Sequence, residues 1–227
     1  MITLTQIYRN LRYRKGFGVH SPFVYHLITD LIEAPYPYYD FLSFRALLRD
    51  LPKEERREAI DGKTGELLYR LGVEFGAKRV LVVGSGLGFA TVCASTYAAD
   101  TDCITLDERE DLAEAILDTT RMFGQTDVRF GRYRETLPVA LQEMGAPDLI
   151  YLDLRGLSEE ETGWLPEACA AQAQAGTILL VDGIRHAKAA WKRFCERPEV
   201  TVTIDLYACG LAFFDPKLHK RSYINRF

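Results

Sequence analysis

The sequence predicts an α/β protein: a mostly parallel, seven-stranded sheet covered by helices, closed by a C-terminal antiparallel hairpin and preceded by a helical extension. Three observations predict it. Over 76–214, short strand-like runs alternate with longer helical segments, the pattern of repeated βαβ units. The strand candidates are nearly continuous in apolar residues, as at Ile178–Val181, which suits strands covered on both faces. Two β-rich runs then follow one another within 200–215, so the parallel sheet is expected to end in a hairpin joined tightly around Cys209-Gly210.

The elements follow in chain order. Residues 1–75 form the expected extension, marked by the aromatic and proline clusters "HSPFVYHLI" (20–28) and "APYPYYDF" (34–41). Ser21 is placed to cap a helix whose first residue is Pro22. The prolines of 34–41 rule out a helix through that stretch. Two helical pieces follow, divided near Asp61-Gly62. The second unit, 76–227, opens with the strand "RVLVVG" (79–84) and continues with "DCITLD" (102–107), "DVRFG" (127–131), "DLIYLD" (148–153) and "GTILLVD" (176–182). Between them, Glu108, Glu110 and Asp111 put negative charge on the first turn of 109–123, which stops at Gly124. Ser158 and Glu161 form a capping box, and Gly176 is expected to close that helix. "HAKAAWKRFCERP" reads as an amphipathic helix ended by Pro198. The tail "SYINRF" is a candidate edge strand after the basic run "KLHKR".

Composition bounds the function. The chain has 227 residues, 48% of them hydrophobic, enough for one sizeable core. Its net charge of −4 gives no overall basic field for nucleic acid. No apolar run reaches the roughly 18–20 residues that span a bilayer, and "MITLTQIYRNLRYRK" lacks the apolar core of a signal peptide. The five cysteines form no C-x-x-C pair and sit in apolar segments, as reduced buried thiols do. These features point to a cytoplasmic protein, with neither nucleic acid nor membrane as partner.

Three strands end in Asp107, Asp153 and Asp182, and ligands of open parallel sheets bind at those carboxyl ends. The first strand runs into Gly84-Ser85-Gly86-Leu87-Gly88-Phe89. A dinucleotide fingerprint, G-x-G-x-x-G, has Gly or Ala where this chain has Phe89, and the large ring opposes a pyrophosphate resting on the helix. The G-x-G-x-G form is instead usual for S-adenosyl-L-methionine (SAM) sites. Asp107, at the end of the second strand, can accept bonds from both ribose hydroxyls of either cofactor.

The segments "VLVVGSGLGFAT", "ITLDERED", "FGRYRETL", "DLIYLDL", "GTILLVDGI" and the 200–214 hairpin, in that order, resemble the class I SAM-dependent methyltransferases, Rossmann-like enzymes. Within that class the chain looks closest to the catechol-type O-methyltransferase branch. "GVHSPFVYHLI" and "VTVTIDLYACGLAFF" are similar to a bacterial subgroup of it. The resemblance implies SAM as cofactor and methyl transfer to a small-molecule acceptor, expected to be an oxygen nucleophile. It places Gly84, Ser85, Gly86 and Gly88 along the methionine moiety, Asp107 at the ribose, Arg132 by the adenine, and Asp153 facing sulfonium and substrate. It also implies a helical extension that packs on a second subunit, as a homodimer.

Departures from the branch bear on activity. Val82 stands where an acidic residue usually meets the cofactor's amino group, and Ala90 where a serine is common, with Thr91 as a substitute. Metal-dependent members carry an Asp after the fourth strand and an acidic-then-Asp/Asn pair after the fifth. Here the residues are Asp153, Asp182 and Gly183, so no metal site is expected. Asp182 is open to three readings: metal ligand, base, or cap of the following helix. His186 on the same loop is the best-placed histidine for proton abstraction, or a structural residue at a helix start. His20 and His26 read as packing or capping residues, and Arg9, Arg12, Arg14 and Lys15 as a solvated face or a contact for an acidic partner. The 1–75 extension is expected to cap the carboxyl edge through Phe17, Phe23 and Tyr25. "PYPYYDF" either floors a pocket for a flat molecule or packs the core. Two further classes stay in view: a nicotinamide-dependent oxidoreductase, and a catalytically inactive SAM-binding or partner-binding module.

Overall fold

The architecture is taken from a computed structural model of the chain, and residues 8–9, 12–13, 15–16, 18–124 and 126–227 are described. Phe17 and Arg14 lie outside the described residues.

Five parallel strands form one side of the sheet, out to its β3 edge: β1 (Arg79–Val83), β2 (Asp102–Asp107), β3 (Asp127–Phe130), β4 (Leu149–Asp153) and β5 (Ile178–Asp182). The hairpin β6 (Val202–Asp205) and β7 (Cys209–Phe213) follows, and β8 (Arg221–Ile224) pairs parallel to β6. The order is β3-β2-β1-β4-β5-β7-β6-β8. The sheet therefore has eight strands, not seven, because the C-terminal tail adds an edge strand beside β6. Strand order reverses between β1 and β4, and such a switch point opens a crevice at the carboxyl edge.

Strand residues alternate between two cores. Val80, Val82, Tyr151 and Leu180 face one layer. Leu81, Val83, Ile150, Leu152 and Val181 face the other. The second layer holds α7 (Tyr133–Met144), α8 (Glu159–Ala170) and α9 (Lys188–Glu196). On the first layer lie α1 (Pro22–His26), continued as a π-helix over Leu27–Ile32, α2 (Asp40–Asp50), α4 (Gly62–Phe75) and α5 (Phe89–Ser95), with α6 (Ala113–Arg121) packed on α5. A single turn, α3 (Glu55–Glu58), precedes α4.

The local signals form the expected ends. Ser21 accepts from Val24 N ahead of Pro22, Asp61 accepts from Lys63 N and Thr64 N at the start of α4, and Ser158 and Glu161 complete the capping box of α8. That helix stops at Ala170 rather than running to Gly176. The hairpin turn also differs from expectation. Cys209 and Gly210 lie within β7, and the connection is Leu206–Ala208, with Tyr207 at φ 78°.

The described helices of the extension do not lie over the carboxyl edge as a cap. They cross one face of the sheet. Phe23 packs edge-on against Phe213 at 5.1 Å between ring centres, and Phe213 is in register with Ile178, the first residue of β5, at the amino edge. Tyr25 is half exposed. Burying the apolar residues of α1, α2 and α4 against the sheet outweighs covering a polar edge. Among the described residues of the extension, short pieces reach the carboxyl side: 57–60 beside the glycine loop, Arg9 paired with Asp205 at 2.8 Å, and Glu33 paired with Arg226 at 2.6 Å. Arg12 is exposed. In the aromatic segment Tyr36 and Tyr39 face solvent while Phe41 is fully buried. His26 bridges Asp30 and Glu74, each at 2.7 Å. Cys93, Cys103, Cys169 and Cys209 are buried, Cys195 is half-buried, and none is in a disulfide. Among the described residues no helix is long and apolar enough to cross a membrane.

Candidate functional site

A cavity of about 420 Å³ lies at the β1/β4 switch point, within the roughly 300–1,000 Å³ of small-molecule sites. Gly84, Gly86, Asp107 and Asp153 line it together, so four of the residues singled out in the sequence share one space. A larger cavity, about 630 Å³, lies between α4, residues 32–37 and Arg226–Phe227, and is lined by none of them.

The glycine loop turns through three left-handed residues, Gly84, Gly86 and Gly88 at φ 86°, 54° and 84°, which glycine adopts without steric cost. The chain's own atoms crowd each one. An added Cβ would lie 2.9 Å from Asp153 Cβ at Gly84, 2.8 Å from Ile60 N at Gly86 and 2.8 Å from Ile116 O at Gly88. Ser85 is buried and faces away from the cavity. Its N–H and hydroxyl donate to Asp107 Oδ2 at 2.8 and 2.5 Å, and its Oγ accepts the Gly88 N–H at 3.2 Å. Phe89 N donates to Gly86 O at 3.3 Å and Ala90 N to Ser85 O at 2.9 Å. The first amides of α5 are thus satisfied by the loop itself and are not offered to a phosphate.

Five carboxylates (Glu58, Asp107, Glu108, Asp153, Glu161) and three guanidinium groups (Arg57, Arg109, Arg155) line the cavity. Leu87, Leu112, Ile116 and Tyr133 supply its apolar wall. Asp107 is buried, with Oδ1 accepting from Arg109 N at 2.9 Å. Glu108, expected only as a charge at a helix start, is a further site residue. It reaches the same cavity and accepts the Tyr133 N–H at 2.5 Å. Its signal was its place beside Asp107 at a strand end.

Other expected residues stand elsewhere. Arg132 is exposed at the start of α7 and does not line the cavity, where Tyr133 takes that position. Thr91 is buried against Thr105, 2.9 Å between hydroxyls, and does not substitute for a serine facing the loop. Asp182 is buried behind Asp153 and accepts from Tyr151 Oη at 3.2 Å and Gly183 N at 2.7 Å. It does not cap the next helix, which starts at Lys188. Burial pushes its carboxyl up to about 6. His186 is exposed and lines a neighbouring cavity of about 330 Å³, together with Glu159 and Lys188. The two cavities share Gly156 and Leu157.

Arg155 was unforeseen. It bonds Asp153 through Nε at 2.9 Å and Nη2 at 2.6 Å, and Nη1 reaches Ala59 O at 3.0 Å. Its spacing of two from Asp153 was the available signal, because such side chains share one side of an extended chain.

No protein-family model and no curated protein matches the chain. Solved structures do. An O-methyltransferase from Bacillus cereus in complex with SAH aligns at TM-score 0.60 and 16% identity, over 81% of this chain and 94% of that one. The SAH-bound methyltransferase of Podospora anserina aligns at 0.64 and 12%, over 86% and 96%. The O-methyltransferase TomG from Streptomyces achromogenes, in complex with SAM, aligns at 0.58 and 18%, over 79% and 91%. The fold is that of these methyltransferases. The class I methyltransferase architecture read from the sequence is therefore the one observed, with one more strand.

Proposed function

We propose that the chain is a SAM-dependent methyltransferase acting on an oxygen of a small-molecule acceptor. One observation carries the reading: the glycine-loop cavity is net acidic, and the amides of α5 are already bonded. A pyrophosphate would meet a net negative lining, with the first amides of α5 already bonded. A sulfonium cation would meet carboxylates. This opposes the nicotinamide reading on physical grounds, and the structural neighbours crystallised with SAH or SAM support the alternative.

In this reading the residues present fit the cofactor. Asp107 and Glu108 take the ribose hydroxyls, Tyr133, Leu87 and Ile116 border the adenine, Gly84 and Gly86 leave backbone close to the methionine part, and Asp153 faces the sulfonium. SAM supplies an activated methyl group, so the chain's own task is alignment and exclusion of water. Residues 57–58 and Arg155 close the cavity from the side of the extension. Of the two expected proton acceptors, Asp182 is buried beside Asp153 and His186 lines the neighbouring cavity, so His186 serves as a base only where the loop after β5 moves toward Asp153. The protein is proposed to work in the cytoplasm without nucleic acid or membrane, with 1–75 as a helical extension open to a second subunit and 76–227 as the cofactor-binding unit.

Calorimetric titration with SAH, SAM and NADH tests this. Saturable binding of SAH and SAM, and none of NADH, is expected; the reverse overturns the reading. One observation favours binding without catalysis: both oxygens of Asp153 are engaged by Arg155. Methyl transfer from labelled SAM to a panel of phenolic and aliphatic hydroxyl acceptors separates the two.

A further inference from the structure

Asp153 and Asp182 end adjacent parallel strands in direct register. Two carboxylates therefore leave the open edge of the sheet side by side, an arrangement that a cation between them stabilises. Arg155 is that cation. Its Nε lies 2.9 and 3.1 Å from the two Asp153 oxygens and 3.6 Å from Asp182 Oδ2, while Nη2 is 2.6 Å from Asp153 Oδ2. The far side of the guanidinium reaches Ala59 O and Glu58 O at 3.0 and 3.4 Å. One planar group thus joins β4, β5 and the segment over the glycine loop.

Gly183 makes this possible. Its φ is 78°, and a Cβ there would lie 3.0 Å from Arg155 Cγ and 3.1 Å from Arg155 N. A side chain at 183 and the Arg155 side chain compete for the same space. The residue that would complete a set of oxygen ligands is absent where the guanidinium stands.

We propose that the Arg155 guanidinium occupies the place of a divalent cation between Asp153 and Asp182, so that this edge carries its positive charge on the chain itself. A magnesium ion requires oxygen ligands in near-octahedral geometry at about 2.0–2.1 Å, and the Asp153 oxygens are committed to Arg155. Guanidinium is permanently charged and matches carboxylates in a fixed fork. Four of its five N–H groups are committed to Asp153, Ala59 and Glu58, so it offers an arriving oxygen one Nη1 N–H and no coordination bond, and orients an acceptor without the Lewis acidity of a metal. Arg155 is in this sense a positioning residue. The role toward an acceptor rests on the proposed methyl transfer; the exclusion of a metal does not.

The test is Mn²⁺ binding to the full chain with SAH present, read by electron paramagnetic resonance and by the melting temperature. Wild type is expected to show no saturable Mn²⁺ site. Folded Arg155→Ala is expected to bind one Mn²⁺ saturably, with a Kd at least about tenfold below the highest Mn²⁺ concentration at which wild type shows no site, as two freed carboxylates can. Methylguanidinium should compete with that ion, and adding Asp182→Asn should abolish the site. Arg155→Lys keeps a cation in place and should stay without Mn²⁺. A stoichiometric Mn²⁺ site in wild type that Asp153→Asn removes would overturn the proposal, and that arm needs no Arg155 variant to fold. So would a folded Arg155→Ala that binds no Mn²⁺. Loss of SAH binding, by contrast, would count against the methyltransferase reading and leave the Mn²⁺ outcome standing.

Discussion

Asp107 and Ser85 are joined twice: a single Asp107 oxygen accepts both the Ser85 N–H, at 2.8 Å, and the Ser85 hydroxyl, at 2.5 Å. The carboxylate that faces the cavity is therefore also the clasp that fixes the glycine loop to the end of β2. Its other oxygen accepts Arg109 N. The same group sets loop shape and ligand contact, and the two roles have separable consequences.

Replacing Asp107 by Ala leaves a buried Ser85 N–H unpaired, which costs about 1–3 kcal/mol of stability. It also removes a charged acceptor for the ribose, with a loss of about 1.5–3 kcal/mol in SAH affinity. Urea unfolding and calorimetry on the same variant give both numbers. Ser85→Ala should lower stability by about 1 kcal/mol with a smaller effect on SAH, because the Ser85 side chain points to Asp107 and Gly88 rather than into the cavity.

Gly86 and Gly156 both line the cavity in left-handed conformation, at φ 54° and 73°. A Cβ at Gly86 would meet Ile60 N at 2.8 Å, whereas nothing lies within 4 Å of one at Gly156. Gly156→Ala should cost only the backbone penalty, about 1–2 kcal/mol. Gly86→Ala should cost about 1–3 kcal/mol more for displacing residues 59–60. Equal unfolding midpoints for the two variants would contradict the packing of that segment on the loop.

Much of the fold was legible because buried parallel strands write themselves as apolar runs. β1 to β5 fall within two residues of the runs quoted above, and the Ser158–Glu161 box marks α8 at the residue. The hairpin turn was misplaced because Gly210 has a different reason to be glycine. A Cβ there would lie 2.5 Å from the Trp191 ring, so the glycine admits a helix side chain onto the strand. The actual turn uses Tyr207 at φ 78°, a residue type with no turn signal. The site was half legible. The glycine loop and the strand-end aspartates are local features. The Arg155 contact to Ala59 joins residues 96 apart, which no local pattern encodes. The sequence placed His186 on the right loop, but its side-chain direction follows from how β5 leads into α9.

Asp182 makes stability depend on pH. Its folded-state pKa is raised to about 6 from 3.8, by burial first and by Asp153, with Arg155, Gly183 N and Tyr151 acting the other way. A raised carboxyl favours folding while protonated. That contribution is complete below the unfolded pKa and is lost as pH rises through the folded one. At about 1.4 kcal/mol per unit, the window is worth about 3 kcal/mol. Asp182→Asn does not titrate, so its stability relative to wild type should improve by about that amount from about pH 4 to about pH 7. Urea midpoints for the pair across that range check it, and a constant difference would contradict the burial of an ionisable Asp182.

His186 tests whether proton transfer belongs to the loop after β5. Its backbone N is held by Gly183 O at 2.8 Å, and its ring lines the side cavity with Glu159 and Lys188 rather than the glycine-loop cavity. A general base contributes about 10²–10⁴-fold to rate and must reach the proton it removes. From this placement His186→Gln should lower kcat by less than about tenfold. The shared Gly156 and Leu157 join the two cavities, so an acceptor long enough to cross them would touch His186 with a part remote from the transferred methyl. For such an acceptor the variant should raise KM while kcat holds, and short acceptors should be indifferent to it. A fall in kcat of a hundredfold or more with short acceptors, about the lower limit for losing a base, would return His186 to the chemistry. It would also mean that the loop moves toward Asp153 once the cavity is filled.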